Sequence, residues 1–348
     1  MDSLISDALA TLLSDRCGFD VVRAIESGSS TTDLWQAIDA AGFADAMVSE
    51  AQGGAGLSVA AVAECWMLAG RHALPVPLAE TMIVRALAAR SGITAPRGPI
   101  ALGTGHRTAS SAVRCASVVG GRTAHAVLVS IAGESRLLIV SEAAAERCAF
   151  ELDLTLEWPQ SSWEAAPRLA MKVDTRLAQA LVLALQLAGA LDAVFQRSLA
   201  WANEREQFGK PIGKFQAIQH QLSLMAEEAF AARMAARIAC LAAPGQPSTN
   251  TEQDPLAAID PLRIAIAKAR ASEAALQVAQ MAHAVHGAIG FTAEFDLQLL
   301  TRRLHAWRQA AGSESAWHDR LGQALVASPS RLSLDLLRQT TDFHAQAA

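Results

Sequence analysis

Hydrophobic and polar positions fall into three regimes along the chain. Over residues 1–95 the apolar positions recur at helical spacing. Leu34, Ala37, Ile38 and Ala41 follow Asp33, which can cap a helix that Gly42 then ends. A glycine-rich turn at 52–58 leads to Ser58, placed to cap a helix carrying Val59, Val62, Ala63, Trp66 and Leu68. Pro75 and Pro77 punctuate the chain before another apolar helix over 80–89. The pattern changes over 96–168. Runs rich in Val, Leu and Ile at 124–130 and 136–140 read as strands, the first of them bounded by Gly120-Gly121 and Ala132-Gly133. This stretch is short beside the ~100 residues of a common β-sandwich, so a reduced sandwich or barrel is expected.

Helical spacing returns over 169–348. Asp174 or Thr175 can cap a helix through Arg197 whose apolar residues go nearly all round, the pattern of a helix buried in a bundle or a subunit interface. Further helices are expected over 215–241, 261–286, 295–310 and 315–327, and residues 242–255 read as a mobile, polar, proline-containing loop. The fold class is therefore mainly α with a small β middle domain. The expected division is an N-terminal helical domain (1–95), a reduced β domain (96–168) and a C-terminal helical bundle of at least four helices (169–348). A chain of this length accommodates roughly two domains of about 150 residues as a prior, so the middle segment must be small.

Composition narrows the function classes. The chain is 51% hydrophobic, with Ala and Leu prominent, which favours helix. A net charge of −5 without a long basic block argues against nucleic acid and anionic membranes as partners. The longest apolar run, 180–190, is interrupted by Gln186 and is too short to span a bilayer, so no membrane span is expected. The N-terminus has no basic region followed by an apolar core, so it does not read as a secretory signal. The five cysteines are widely spaced and form no Cys-x-x-Cys pair, which argues for a reducing cytoplasm and against a zinc site or a disulfide framework.

The candidate chemistry concentrates at 201–216, Trp-Ala-Asn-Glu-Arg-Glu-Gln-Phe-Gly-Lys-Pro-Ile-Gly-Lys-Phe-Gln. Arg205 and Phe208 stand at the end of a long helix pattern. Gly209 and Pro211 break it, and Phe215-Gln216 opens the next helix. A guanidinium bonds phosphate oxygens through parallel donors, and free amides at a helix start favour anions, so the corner suits a phosphorylated planar ligand. A second group is His283-Ala-Val-His-Gly-Ala-Ile-Gly-Phe291, where Gly287 and Gly290 bracket a turn that lets a ligand approach the backbone. His283 and His286 are spaced i, i+3, but no third ligand lies at metal spacing and no metal site is expected. The Gly-Gly-x-Gly turn near residue 54 lacks the Lys-Ser/Thr of a phosphate loop and reads as a connector.

Residues 201–216 resemble the "ERxQFGKPIGxFQ" element of the acyl-CoA dehydrogenases, continued by Ile-Gln-His-Gln-Leu at 218–222, and 285–291 resembles their "VHGGxGF" element. Residues 42–58 are similar to the family's N-terminal "GLLGLxVPExxGGxGLS", and 71–81 to a segment of its shorter bacterial members. The resemblance implies the family's order of N-terminal helical domain, β domain and C-terminal four-helix bundle. It implies FAD as cofactor, an acyl-CoA thioester as substrate and α,β-dehydrogenation as the reaction. Arg205, Phe208, Phe215 and Gln216 would meet the adenosine and pyrophosphate side of FAD across a dimer interface, with His286, Gly287 and Ala288 along the same cofactor.

The chain also departs from the family pattern. The middle segment has no counterpart of the "TEPxAGSD" loop, and neither Trp158 nor Trp163 is followed by Ile-Ser or Ile-Thr as in "WIS/WIT". Counting from Gly290-Phe291, the family's catalytic carboxylate falls on Ala311, and the alternative position on the earlier helix is Gln179. Neither removes an α-proton. Ala284 replaces the glutamine usual before "VHG". The expectation is a companion subunit that pairs with a second acyl-CoA dehydrogenase subunit, in a steroid-type or other bulky acyl-CoA pathway. The alternatives are a homo-oligomeric enzyme with a relocated base, Glu314, and a non-enzymatic helical dimerisation scaffold.

Overall fold

The structure, a computed structural model, describes residues 2–242, 256–328 and 332–341. The loop read at 242–255 lies, apart from Ala242, outside the described residues. Five helices come first: α1 (Asp2–Arg16), α2 (Phe19–Glu26), α3 (Thr32–Ala40), α4 (Val59–Arg71) and α5 (Leu78–Arg90). Six strands follow: β1 (Ile100–Arg107), β2 (Val113–Val118), β3 (Ala126–Ile131), β4 (Glu134–Ile139), β5 (Ala144–Arg147) and β6 (Leu154–Trp158). After the short α6 (Gln160–Ala165) come α7 (Thr175–Glu204), a small hairpin of β7 (Glu206–Gln207) and β8 (Lys210–Pro211), then α8 (Gln216–Ala239), α9 (Pro261–His286), α10 (Leu297–Gln309), α11 (Glu314–Ala327) and α12 (Ser333–Thr341).

Local signals set many of these bounds. The Ser58 hydroxyl accepts the Ala61 N–H at 3.3 Å and starts α4. The Asp174 carboxylate accepts the Leu177 N–H at 2.9 Å and starts α7. Gly42 takes the left-handed conformation after α3. Asp33, however, is not a cap. Thr31 is the N-cap of α3, and the Ser30 hydroxyl accepts the Thr32 N–H, which places Asp33 in the first turn where its charge suits the helix dipole. α7 also runs beyond Arg197 to Glu204, since no Gly or Pro intervenes before Gly209.

The sheet is open, with order β4-β3-β1-β2-β6-β5, and is not a closed barrel. β1 runs parallel to β3, and the other neighbours are antiparallel. β1 serves two neighbours in succession. Its residues 100–104 pair with β3 and its residues 105–107 with β2. The sheet therefore turns on that strand and encloses a small apolar cluster of Ala101, Val113, Cys115, Val127, Val129, Leu156, Trp158 and Trp163. The alternate residues Ile100, Leu102, Ala126 and Leu128 face the main helical core, as the two-residue period of a strand requires.

α7 is the axle of that core and packs against α4, α8, α9 and α10. It is long and apolar enough to cross a membrane by length and composition, with mean hydropathy 1.7, yet 89% of that window is buried inside the protein. Its all-round apolarity is thus explained by helices of the same chain. α4 crosses it closely at Gly70 and Gly189, which face the backbone of Gln186 and Met67 respectively.

Candidate functional site

The corner after α7 is built from backbone. The Arg205 N–H returns to the Trp201 carbonyl at 2.8 Å, and the Arg205 carbonyl accepts the Ile212 N–H at 2.8 Å, so the β7–β8 hairpin folds back beside the helix end. Its turn residues, Phe208 and Gly209, have φ of 52° and 77°. Positive φ at both central residues is the demand of a tight hairpin and is rarely met by an aromatic residue. Phe208 is nevertheless 92% exposed. Its ring meets Phe215 edge-on at 6.2 Å, and Lys210 Nζ lies 4.4 Å from the Phe215 ring centre. Phe215 caps α8 and Gln216 is its first residue, where the first-turn amides lack helical acceptors. The Arg205 guanidinium is exposed and pairs with no described residue. Phe208 and Arg205 are thus both solvent-facing, and neither side chain packs into the core.

The second sequence group meets the first through a residue not singled out in the sequence. Trp201, one helical turn before Arg205, stacks on His286 at 5.5 Å, and Phe295 touches both rings at 5.6 and 5.3 Å. The ends of α7 and α9 are therefore fastened together. His286 is buried; its Nδ1–H donates to the Ala282 carbonyl at 2.8 Å, and its Nε2 has no partner. Burial lowers its pKa, so the ring stays neutral. Gly287 then turns the chain at φ 67°, ψ −148°, a conformation close to glycine-only, and Ala288 is exposed. Ile289 and Phe291 are exposed beside them. Among the described residues no cluster of three or more potential ligands could hold a metal.

The two positions at which the family resemblance places a base are accounted for. Ala311 has φ of 58°, and its carbonyl accepts Arg176 Nε–H at 3.1 Å. The corner around it is tied down by buried Lys268, which donates to the carbonyls of Arg308 and Gly312 at 3.0 and 3.2 Å. Gln179 is buried and donates to Glu80 Oε1 at 2.9 Å. Glu314 is bound to Arg308 through an ion pair. Burial alone would raise its pKa, but its own backbone N–H, the Arg308 hydrogen bond and the charges of Arg308 and Lys268 outweigh that and hold it below the usual carboxylate range. A carboxylate so tied is a weak proton acceptor.

Sequence reading missed a cleft of about 490 Å³ between the sheet side (Ser117, Cys148, Phe150, Asp153) and α10 (Arg302, His305). It also missed a group of buried charges behind that cleft: Glu80, Asp153 and Arg303. The available signal was a glutamate in α5, a helix whose residues from Leu78 to Ala88 are all buried. A charge kept in such a stretch requires a partner.

Helices, turned sheet and helical bundle follow one another in this order, with Arg205 at the corner that closes the first long helix of the bundle. The family model "Acyl-CoA dehydrogenase, C-terminal domain" matches residues 175–325, from the first residue of α7 to the last turn of α11. The chain is 26% identical over 329 residues to acyl-CoA dehydrogenase IpdE2 of Mycobacterium tuberculosis, covering 94% of this chain and 98% of that one. Two solved structures share the fold at a TM-score of 0.77 each and cover 94% of this chain and 98% of theirs: the steroid ACAD Tcur3481-Tcur3483 (G363A variant) at 22% identity, and the ChsE4-ChsE5 complex from Mycobacterium tuberculosis at 19%. The chain is thus similar to acyl-CoA dehydrogenases over nearly its whole length, and its residues 175–325 match the family's C-terminal domain.

Proposed function

We propose that this chain is the companion subunit of a two-subunit, FAD-dependent acyl-CoA dehydrogenase acting on a bulky, steroid-type acyl-CoA. The observation that carries this reading is the contrast between two places. The Arg205 corner is complete and unpaired, while the base positions hold Ala311 and Gln179. Both structural neighbours pair two proteins, which supports a second subunit, and one of them is a steroid ACAD. The described cysteines are all free thiols, which fits a reducing cytoplasm.

The residues present fit one half of the cofactor. Arg205 suits a pyrophosphate, and the exposed face of Phe208 suits a planar adenine. Phe215 and Gln216 stand at the anion-favouring start of α8, with Gly287 and Ala288 exposed on the turn after α9 and His286 stacked on Trp201. When bound, FAD supplies the hydride acceptor for α,β-dehydrogenation. This chain's part is to hold and orient the nucleotide end. The partner subunit provides the carboxylate that takes the α-proton. Relocation of the base to Glu314 is disfavoured by its ion pair with Arg308.

Co-purification with the homologue encoded beside it is expected to give FAD and turnover that the isolated chain lacks. Arg205→Ala in that pair is expected to weaken FAD retention by about 10- to 100-fold, the equivalent of one charged hydrogen-bonding group at ~1.5–3 kcal/mol. Stoichiometric FAD and full turnover from the isolated chain would sink the proposal. Unchanged FAD retention in Arg205→Ala would favour a helical scaffold instead.

A further inference from the structure

Glu80 on α5, Asp153 in the turn before β6 and Arg303 on α10 line one small cavity of about 20 Å³. Their relative exposures are 1%, 6% and 0%. Each has a fixed partner on one side. Glu80 Oε1 accepts from Gln179, Asp153 Oδ1 accepts the Gly120 N–H at 3.0 Å, and Arg303 Nη1 donates to Glu26 Oε1 at 2.5 Å and to the Leu299 carbonyl at 3.0 Å. Glu80 Oε2, Arg303 Nε and Arg303 Nη2 are buried with no partner among the described residues. A polar cavity holds a water once it offers ~10–15 Å³ and two or more polar groups, and this one does both.

The charges around the cavity limit how many of its groups can ionise. The Arg303 guanidinium already faces Glu26 and has Arg302 and the Cys17 thiol near it. Glu80 faces the neutral Gln179 amide and its own backbone N–H. Asp153 faces Arg303, Glu80 and the Gly120 N–H. Two guanidiniums, Arg302 and Arg303, serve Glu26, Glu151 and this pair, too few for both Glu80 and Asp153 to ionise, and like charges in one buried site do not both ionise. We propose that Glu80 and Asp153 hold one proton between them across a single trapped water, which accepts a hydrogen bond from Arg303, and that this acid pair pins α5, the turn before β6 and α10 to one another. In this arrangement one carboxyl donates its proton to the water or to its neighbour, and the other remains a carboxylate that accepts from the water. Asp153 and Phe150 line both this cavity and the open 490 Å³ cleft, so Asp153 is the member that exchanges its proton with solvent.

The electrostatics agree. Burial pushes Asp153 up to about 7, the Glu80 charge adds to this, and the Gly120 amide and Arg303 oppose it. Burial also raises Glu80. Asp153 therefore keeps a proton in the folded chain between about pH 4 and about pH 7 that the unfolded chain has released. Folding stability from this group is highest at the acid end of that window, declines as pH rises through it, and is level above it.

Denaturant unfolding of the full chain across that window tests the proposal, with Asp153→Asn and Glu80→Gln as isosteric variants. The wild type is expected to show a linkage slope of about one proton that the double variant Asp153→Asn with Glu80→Gln lacks, since burial also raises Glu80 and that group can hold the proton when Asp153 is replaced. Glu80→Gln is expected to move the upper end of the slope to lower pH, because the like charge is gone. Infrared spectra of the folded wild type at pH 6 are expected to contain a protonated-carboxyl band that the double variant lacks, and the wild-type band can be read even if a variant fails to fold. Equal slopes in wild type and the double variant, or no such band in the wild type, would overturn the proposal.

Discussion

Gly189→Ala is expected to destabilise the protein by about 3 kcal/mol or more, measured by denaturant unfolding with circular dichroism. The sign is a contest between two effects. Alanine is favoured over glycine inside a helix by ~0.8–1.0 kcal/mol, and Gly189 lies well inside α7. Against this, a Cβ on Gly189 would lie 2.7 Å from the Met67 carbonyl carbon and 3.0 Å from Met67 Cα, distances that backbone atoms cannot share. The contact is reciprocal, since a Cβ on Gly70 would lie 2.7 Å from Gln186 Cα. Both helices are buried at the crossing, and neither can retreat without opening the core along its length. Gly322→Ala is the control. Gly322 sits in α11 with nothing within 4 Å of its would-be Cβ, so the same substitution is expected to stabilise there by ~0.5–1 kcal/mol. Two glycine-to-alanine changes of opposite sign would separate helix propensity from close approach. A neutral or stabilising result at Gly189 would refute the crossing geometry.

That crossing also marks what periodicity can and cannot convey. The apolar all-round pattern of α7 correctly predicts burial, but it cannot name the covering helix, and Gly70 and Gly189 look like mild helix weakeners until α4 is laid on α7. α9 is legible to the residue because its ends carry local chemistry: Asp260 caps it, Pro261 opens it and Gly287 closes it. β3 and β4 are legible because they are rich in Val, Leu and Ile. β5, Ala-Ala-Glu-Arg, is strand only because β6 pairs with it, and β1 is interrupted by two glycines and ends on His and Arg. Pairing partners distant in sequence override such weak local preference.

The candidate site divides in the same way. The Arg205–Gln216 corner is contiguous, so its turn, its exposed aromatic and its helix start can all be read in one window. Its connection to His286 depends on Trp201, which carries no recognisable signal except that it precedes Arg205 by one turn. The buried acid group draws on α5, the turn before β6 and α10, and no window or period relates those segments. Where a function depends on side chains that the fold gathers from afar, sequence can show only the cost, here a glutamate inside a fully buried helix.

The same region gives the second large effect. Glu26→Ala is expected to cost about 3–5 kcal/mol, measured by denaturant unfolding. Glu26, at the end of α2, is paired with both Arg302 and Arg303 of α10, and the Glu26 and Arg303 side chains are 3% and 0% exposed. Burial already lowers the Arg303 pKa, and Glu26 is the charge that opposes this. Removing the carboxylate takes away the counter-ion hydrogen-bonded to the buried guanidinium, whose Nε and Nη2 already lack partners among the described residues. The desolvation cost of the cation then stands uncompensated, which is why breaking a buried pair is worse than never having one. The paired substitution Glu26→Leu with Arg303→Met distinguishes charge from shape. It removes both ions and keeps apolar volume against Phe150 and Trp307, which the guanidinium now covers at 5.4 and 6.0 Å. The double variant is expected to recover most of the loss of Glu26→Ala. If it falls as far as the single variant, the α2–α10 contact depends on the directed hydrogen bonds of the pair, and the account of an uncompensated charge fails.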